Sequence, residues 1–593
     1  MKHIFYTLLI YIILTAVTTA VMHDFSFRYT LFLLVDAIFL VAGGNLFTEK
    51  KGYYKAIAFI VAVLSSVFFI RFFSSALLKI WDVDTYLSFC LAVGNVLLIS
   101  ASLLPAAGKL KKFILWAASF LIFLPILILW GYYFSESSWL NVDGVMAILQ
   151  TNSAEAAEYL QDKLSYGALI LIFLYLLLTV LTAAIGSRLT LKRGSWKINA
   201  GIAVFLILNI VLMIRAGHIG DNFVTTIFLE TKLYQANYNE YIKLAELRKQ
   251  RLRDTLRTEN AGEPGIYVLV IGESQNRTRM SAYGYHLDTT PWLKEMKQNE
   301  NFLLFQNAYS CHVQTVPTLS YALTAKNQYN SLDLKEAVSL IDVANAAGYQ
   351  TVWLSNQMRY GFWDTPVTVI AGAAGQQIWI NSHITKNAAN APADYQDGEL
   401  VRRLQDVRLS DKMLIIIHLM GSHIAYHKRY PAEYGTFTGE GTGSEYDNSI
   451  LYNDYVMKEL ITKLSALPDF KSLVYFSDHS EGVAHGLNHN PSTFVFEMAY
   501  IPLYMYFSEE YQQKQPQKMN ALRAAQNYYF TNDLIFNTML GIMNIQNNAL
   551  YEPSNDLTSP RYDHDVNRFM TMYGKRKIKE DVEGKQTGGQ TAK

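Results

Sequence analysis

The stretch Ser472–Glu481, which reads SLVYFSDHSE, is an apolar run that ends in an Asp-His pair. A second apolar run upstream, Ile266–Ser274 (IYVLVIGES), ends in a glutamate. Continuous apolar runs of this kind predict strands that are buried on both faces of a parallel sheet. Ligands bind beyond the carboxyl ends of such strands, so we expect Glu273, Asp478 and His479 to meet there. Carboxylate and imidazole groups suit a divalent metal such as zinc.

Strand and helix signals alternate through the second half of the chain. The strand signals are 266–271, 350–354, 413–417, 472–476 and 503–507, and helix-favouring stretches such as 333–347 and 451–466 separate them. This alternation predicts an α/β sandwich with a mostly parallel central sheet. Gly262, Pro264 and Gly265 mark its start, and the charged stretch 575–593 predicts a disordered tail. The predicted domain therefore covers 261–574.

The first 217 residues have a different character. They carry seven apolar runs near the ~20 residues that span a bilayer, at 4–22, 30–48, 54–75, 85–107, 113–133, 166–186 and 198–215. Lysine and arginine gather in alternate connections, which places the amino terminus in the cytoplasm by the positive-inside rule. An odd number of spans, whether seven or five, then places the rest of the chain outside. We predict a transmembrane α-helical domain over 1–217 and linker helices over 218–260.

Charge and cysteine content argue against a nucleic-acid-binding protein and against a cysteine zinc cluster. The net charge of +1 gives no basic field for nucleic acid. Of the two cysteines, Cys90 lies in an apolar run and Cys311 in the globular part. We therefore expect no disulfide between them, and a cysteine zinc cluster is excluded.

Thr315, in the stretch Ser310–Pro317 (SCHVQTVP), is the candidate nucleophile. A hydroxyl at a helix start gains from free backbone N–H groups and from the helix dipole. Coordination to a metal would lower its pKa enough for attack on phosphorus. An N-cap threonine is the alternative interpretation, and Thr318 and Ser320 are the next candidates.

Histidines gather on two of the predicted loops. They are His418, His423, His479, His485 and His489. A single histidine is usually structural, whereas titratable groups that cluster at one sheet edge are typical of functional sites. The cluster therefore favours a functional site at the carboxyl ends of the strands.

Longer motifs resemble the phosphoethanolamine transferases of Gram-negative envelopes, which belong to the alkaline phosphatase/sulfatase superfamily. In chain order the motifs are Thr151–Leu160, Val268–Tyr285, His418–His423, Lys428–Pro431, Tyr452–Asp454 and Phe476–Glu481. The resemblance covers nearly the whole chain. It is closer to the branch that modifies the core or heptose region of lipopolysaccharide, because the cysteine bridges of the lipid A branch are absent from this sequence.

The resemblance implies roles for particular residues. It implies zinc ligands at Glu273, Thr315, Asp478 and His479, with Thr315 as the nucleophile that becomes modified by phosphoethanolamine. It implies catalytic roles for His423 and His489, with His485 as the alternative to His489, and substrate contacts for Asn356, His485 and Glu481. Ser480 stands where the family usually has glycine, and a serine adopts positive φ only at a cost.

The activity implied is a two-step transfer from phosphatidylethanolamine to lipopolysaccharide at the periplasmic face of the bacterial inner membrane. Three rival functions remain open from the sequence. They are a membrane-anchored phosphodiesterase or sulfatase, a polyglycerolphosphate-type synthase, and a membrane sensor or scaffold that retains an inactive fold. The complete set of ligands argues against the scaffold.

Overall fold

The computed structural model describes residues 109–136, 166–186, 223–255, 262–357, 366–381, 396–439, 442–545 and 549–582, with isolated residues before 212. The chain divides into two compact units. One comprises 1–145 with 163–233, and the other comprises 146–162 with 234–593. The predicted spans at 4–22, 30–48, 54–75 and 85–107 lie wholly or almost wholly outside the described residues, and the span at 198–215 lies mostly outside them.

Two helices of the first unit are described, α1 (Lys109–Glu136) and α2 (Tyr166–Gly186). They coincide with the predicted spans 113–133 and 166–186. They pack on each other through Tyr175, whose hydroxyl donates to the Phe120 carbonyl at 2.8 Å. Within the described ranges, none of the helices meets both the length and the apolarity that crossing a membrane requires. The transmembrane domain therefore stays a prediction from the sequence.

The stretch predicted as linker forms two helices, α3 (Phe223–Lys243) and α4 (Ala245–Thr255). Tyr241 and Leu252 are buried in the same core as one face of the central sheet. Arg248 donates to the Lys335 carbonyl at 2.8 Å, and its guanidinium lies 3.7 Å from the Tyr241 ring centroid. From Tyr234 onward the chain therefore belongs to the second unit, upstream of the predicted boundary at 261.

The second unit is organised around a seven-stranded sheet. Its strands are β1 (Gly265–Gly272), β2 (Phe302–Phe305), β4 (Gln350–Ser355), β5 (Gln376–Trp379), β6 (Lys412–His418), β7 (Phe470–Ser477) and β8 (Leu503–Phe507). The order across the sheet is β2-β8-β7-β1-β6-β4-β5. The five strands from β5 to β7 are parallel, and β8 is antiparallel to both β7 and β2. The mostly parallel sheet and all five predicted strands are confirmed, while β2 and β5 were not predicted as strands.

Smaller strands complete the unit. A parallel pair is formed by β3 (Asn307–Tyr309) and β9 (Tyr529–Thr531), and an antiparallel pair by β10 (Met570–Thr571) and β11 (Arg576–Lys577). The helices are α5 (Pro291–Met296), α6 (Thr315–Ala322), α7 (Leu340–Ala346), α8 (Pro366–Gly372), α9 (Gly398–Arg403), α10 (Thr442–Ser465), α11 (Glu509–Lys514), α12 (Pro516–Ala524) and α13 (Ile535–Ile542).

Each face of the sheet has its own hydrophobic core. Along β1, Tyr267, Leu269 and Ile271 belong to the core that also contains residues of α6, α7 and α13. Ile266, Val268 and Val270 belong to the opposite core, which contains residues of α9 and α10. Successive side chains of a strand point to opposite faces. The run is apolar throughout because both of its faces are covered.

The helix prediction at 333–347 is wrong in one respect. The stretch forms a short 3-10 turn at Leu334–Glu336 and then the separate helix α7. Ser339 starts α7, since its hydroxyl accepts from the Asp342 N–H while the Asp342 carboxylate accepts from the Ser339 N–H. Such a capping box fixes a helix start, which divides the predicted helix in two. The helix predicted at 451–466 is the carboxyl-terminal part of α10.

The predicted disorder of the tail is wrong for residues 575–582. Strand β11 and a 3-10 turn at Ile578–Glu580 lie there. The buried Asp581 carboxylate accepts hydrogen bonds from the hydroxyls of Tyr309 at 3.0 Å and Tyr500 at 2.7 Å. These contacts order the segment because they connect it to the core. Residues 583–593 lie outside the described residues.

Candidate metal centre and active site

Three buried side chains meet at the carboxyl ends of β1 and β7. Glu273 follows β1, and Asp478 and His479 follow β7. The two strands are neighbours, with Gly272 opposite Ser477 in the parallel register. One ligand atom from each of the three residues lies within 4.8 Å of the other two. We call these three residues the triad, and the meeting predicted from the sequence is confirmed.

Backbone and side-chain contacts fix the Glu273 loop. Ser274 adopts φ of +57°, donates from its N–H to Asp478 Oδ1 at 3.1 Å, and donates from its hydroxyl to Glu273 Oε1 at 2.8 Å. The Tyr446 hydroxyl donates to the Ser274 carbonyl at 2.5 Å. Gly421 approaches from the loop after β6, where a Cβ would lie 2.5 Å from the Glu273 carbonyl oxygen. A side chain at 421 would therefore displace the Glu273 loop.

The triad presents only lone pairs to its centre. His479 Nδ1 lies 3.1 Å from the Ser480 carbonyl, which can only accept, so Nδ1 carries the proton. Nε2 then faces Glu273 Oε1 and Asp478 Oδ2 with a lone pair, at 3.4 Å from each. Asp478 Oδ2 has no hydrogen-bond partner among the described residues. Converging acceptor atoms from three buried side chains fit a bound cation.

The electrostatics of the triad also favour a positive charge at its centre. Burial and the neighbouring Asp478 carboxylate raise the pKa of Glu273 well above its ordinary value. Burial lowers the pKa of His479 well below its ordinary value, and the nearby His489 lowers it further, so the imidazole is neutral. Two adjacent buried carboxylates and a neutral imidazole could hold a divalent metal with oxygen and nitrogen ligands.

Thr315 is the hydroxyl that lies at the triad. Its Oγ1 donates to Glu273 Oε2 at 3.2 Å and lies 3.4 Å from His479 Nε2. Thr315 is the first residue of α6, and Gln314 is its N-cap, so the N-cap interpretation of Thr315 is wrong.

The two competing hydroxyls point elsewhere. Thr318 Oγ1 donates to the His312 carbonyl at 2.9 Å, and Ser320 Oγ donates to the Val316 carbonyl at 2.6 Å. Both satisfy backbone groups within their own segment. Of the three candidates, only Thr315 is placed against the triad.

The predicted histidines separate into two groups. His489 Nδ1 lies 2.8 Å from Glu481 Oε1, and its ring centroid is 4.4 Å from that of His479. Burial, and then Arg429, His489 and His479, lower the pKa of His423 well below its ordinary value. His489 therefore lies beside the triad, whereas His423 is a buried histidine on the loop after β6 whose ring is close enough to His479 and His489 for their charges to act on it.

His485 is the other group. Its Nδ1 lies 2.8 Å from the buried Glu497 carboxylate, which also accepts from Asn276 Nδ2 at 2.9 Å. This carboxylate connects the loop after β1 to the loop after β7. Of the two candidates for the later histidine, His489 has the contact with a triad residue.

Asn356 is engaged by the protein. Its Nδ2 donates to Asp397 Oδ1 at 2.8 Å, and its Oδ1 accepts from Asn381 Nδ2 at 2.7 Å. Asp397 in turn accepts from the backbone N–H groups of Met420 and Gly421 at 2.9 and 2.8 Å. Asn356 thus braces the loop that approaches Glu273, and its predicted substrate contact stays a prediction.

The sequence reading missed Gln357. Its Nε2 donates to the Leu419 carbonyl at 2.9 Å and lies 3.4 Å from Glu273 Oε2. The available signal was its position directly after Asn356 at the carboxyl end of β4. The expected strain at Ser480 is not observed, since Ser480 is not among the described non-glycine residues with positive φ.

The fold and the triad are those expected of an α/β enzyme of the sulfatase type. Residues 266–545 match the Sulfatase family model. The chain is 30% identical over 454 residues to phosphoethanolamine transferase EptC of Escherichia coli O18:K1:H7, covering 68% of this chain and 74% of that protein. The chain therefore belongs to the phosphoethanolamine transferase family, as its motifs predict, and it is an enzyme of that family.

Solved structures resemble this chain as well. Integral membrane lipooligosaccharide phosphoethanolamine transferase A of Neisseria meningitidis shares 20% identity and a TM-score of 0.57, over 86% of this chain and 97% of that chain. This likeness extends the shared fold over most of the sequence. The periplasmic domain of Escherichia coli EptC in complex with zinc shares 29% identity and a TM-score of 0.49, over 55% of this chain and 96% of that domain.

Proposed function

We propose that the enzyme transfers phosphoethanolamine from phosphatidylethanolamine to lipopolysaccharide through a covalent phosphoethanolamine-Thr315 intermediate. The observation that carries the proposal is the Thr315 hydroxyl, 3.2 Å from Glu273 and 3.4 Å from His479 at the centre of the triad. Membership of the phosphoethanolamine transferase family supports phosphoethanolamine as the group that is transferred.

Zinc is the proposed cofactor, held by Glu273, Asp478, His479 and the Thr315 oxygen. The support is the set of donors, which combines carboxylate, imidazole and hydroxyl oxygen around an electron-rich centre. When bound, zinc would lower the pKa of the coordinated hydroxyl and stabilise negative charge on the phosphoryl oxygens.

In the first half-reaction, Thr315 Oγ1, which would have lost its proton to solvent when the metal bound, forms a bond to the donor phosphorus, and the bond from phosphorus to the diacylglycerol oxygen breaks. Glu273 Oε2 accepts the hydroxyl hydrogen bond and so orients the nucleophile. The leaving diacylglycerol oxygen takes up a proton from His489 or, where the negative charge of the bound donor favours its protonated form, from His423. The Glu481 carboxylate, at 2.8 Å from Nδ1, fixes the orientation of the His489 ring.

In the second half-reaction, an acceptor oxygen forms a bond to phosphorus and the bond to Thr315 Oγ1 breaks. The same histidine takes the acceptor proton, as reversibility requires. A hydroxyl of core heptose or a phosphate of lipid A offers a suitable oxygen. Asn356, His485 and Glu481 are the proposed substrate-binding residues.

The proposed location is the bacterial inner membrane, with the catalytic unit in the periplasm. Seven apolar runs in the first 217 residues and their flanking charges support a multi-pass anchor. An anchor of this kind keeps the triad close to lipid headgroups, which raises the local concentration of the donor.

The test compares wild type, Thr315→Ala and Thr315→Ser with phosphatidylethanolamine as donor. Mass spectrometry of the Thr315 peptide should show phosphoethanolamine on the wild type and nothing on Thr315→Ala, whereas Thr315→Ser should keep part of the transfer. Lipopolysaccharide from cells with and without the gene should differ by phosphoethanolamine. Near-normal transfer by Thr315→Ala, or free phosphoethanolamine as the sole product, would count against the proposal.

A further inference from the structure

The segment that carries Thr315 is bound by residues close to the carboxyl terminus. Thr571 Oγ1 donates to the Ser310 carbonyl at 2.7 Å, and the Tyr573 N–H donates to the Cys311 carbonyl at 3.1 Å. The Tyr573 hydroxyl donates to the Pro317 carbonyl at 2.7 Å. These bonds lie on both sides of Thr315 in the sequence. We call Met570–Gly574 the C-terminal turn and Ser310–Pro317 the Thr315 segment.

Aromatic contacts add to these hydrogen bonds. The Tyr573 ring stacks on Tyr321 of α6, with centroids 4.3 Å apart and planes 23° from parallel. It also lies against the buried His312, with a centroid distance of 4.9 Å. A single side chain therefore contacts the stretch before Thr315 and the helix that begins at Thr315. Aromatic rings restrict motion of their neighbours through such packing.

The backbone of the C-terminal turn is in an unfavourable conformation. Met572 and Tyr573 have φ of +55° and +56°, and Gly574 follows with φ of +83°. Consecutive non-glycine residues in the left-handed region persist only where their surroundings fix them. Gln328 provides part of that fixation, because its side chain donates to the Met570 carbonyl and accepts from the Gly574 N–H, both at 2.9 Å.

A downstream anchor holds the turn in place. Asp581 is 2% exposed and accepts from the hydroxyls of Tyr309 and Tyr500. Ile578 is buried in the core that contains residues of α6. The C-terminal turn is thus held by Gln328 and, downstream, by the buried contacts of Ile578 and Asp581.

We propose that Tyr573 is a positioning residue that keeps the Thr315 hydroxyl aligned with the triad. Tyr573 contacts Pro317, His312 and Tyr321, which lie on the Thr315 segment and on α6, so it acts on Thr315 through them. The inference rests on the proposed role of Thr315 as nucleophile. A displacement of about 1 Å at a reacting group can lower a rate about 100-fold.

The experiment measures the rate of phosphoethanolamine addition to Thr315 in the full-length protein in detergent, with phosphatidylethanolamine as donor. Tyr573→Phe keeps the stacking and loses the bond to Pro317, so its rate should fall about tenfold. Tyr573→Ala also loses the stacking and should fall about 100-fold. The KM for the donor should stay within about twofold, because alignment and not donor binding is affected.

Tyr562→Phe is the matched control. The Tyr562 hydroxyl donates to the Tyr529 carbonyl at 2.6 Å, so this variant loses an equivalent bond without a contact to the Thr315 segment. It should modify Thr315 at the wild-type rate.

Three results would overturn the inference. Wild-type rates for both Tyr573 variants, while Thr315→Ala stays unmodified, would refute positioning and leave the proposed function intact. A zinc content that falls in parallel with the rate would show that Tyr573 acts on the metal centre instead. Transfer by Thr315→Ala would overturn the proposed function together with this inference.

Discussion

The two sides of the active site are built in different ways. Glu273, Asp478 and His479 follow neighbouring parallel strands, so the register of the sheet brings them together. Thr315 lies on a segment whose flanking carbonyls are bound by the C-terminal turn, more distant in the chain than any triad residue. The triad thus follows from the register of two paired strands, whereas the position of Thr315 depends on side-chain and backbone contacts with a turn outside the sheet.

The largest effect should come from the triad itself. Asp478→Asn removes a ligand, so we expect zinc content to be lost and transfer to fall more than about 100-fold, the loss that outer-shell partners alone can reach. Without metal the same variant should melt at a higher temperature than wild type, because the neighbouring carboxylate raises the pKa of Glu273 and this repulsion disappears. Metal analysis and melting curves with a chelator check both expectations.

Asp406→Asn is the control for this variant, since Asp406 forms a surface ion pair with Arg403. It should keep both zinc and activity. A wild type whose melting temperature does not change on chelation would contradict the requirement for a cation at the triad.

The next largest effect is a loss of stability in the core that contains Tyr241, Leu252 and residues of α6. A protein that begins at residue 261 lacks Tyr241 and Leu252, which are 1% and 2% exposed in that core. Each buried side chain contributes about 2 kcal/mol, so this protein should be less stable by several kcal/mol than one that begins at residue 234. Comparison of their melting temperatures checks the expectation. Equal temperatures would show that α3 and α4 only connect the two units.

A smaller effect is expected at Gln357, which supports the triad from β4. Gln357→Ala should weaken zinc binding about tenfold, because it removes a donor from Glu273. Gln377→Ala is the matched control, since the Gln377 amide donates to the Gly372 carbonyl on the surface. Competition with a zinc chelator measures both affinities. If the two variants bind zinc equally tightly, Gln357 does not contribute to zinc binding.

The smallest effect on activity is expected in the core on the opposite face, where one carboxylate makes stability depend on pH. Burial raises the pKa of Asp454 from 3.8 to about 7, although its carboxylate accepts from the N–H groups of Trp292 and Leu293 at the start of α5. Between these two pKa values the unfolded state ionises first, so wild type should lose stability as the pH rises from about 4 to about 7. Asp454→Asn does not ionise and should lack this loss.

Melting temperatures of the two proteins at pH 5 and pH 8 measure that difference, and transfer activity should be unaffected by the substitution. Parallel pH dependences would mean that Asp454 stays ionised in the folded state. Reduced activity would mean that the core on this face also affects the catalytic centre.

The strand ends of the site could be read from the sequence because the signal is local. An apolar run followed by a carboxylate or an imidazole predicts both a buried strand and a polar group at its carboxyl end, and Glu273, Asp478 and His479 follow this rule. Gln357 was missed because an amide after a strand carries no comparable chemical signal. The choice of nucleophile among Thr315, Thr318 and Ser320 required the structure, because it shows which hydroxyl bonds to the triad and which bond to nearby backbone carbonyls.

The mostly parallel sheet, the triad and the family could be predicted from the sequence alone, because apolar periodicity and ordered motifs are properties of short stretches. The place of Tyr241 and Leu252 in the catalytic unit and the order of residues 575–582 became visible from packing in the folded chain. The same is true of the contact between the C-terminal turn and the Thr315 segment. A polar or charged stretch reads as linker or tail when taken alone, whereas its order depends on partners that lie hundreds of residues away in the chain.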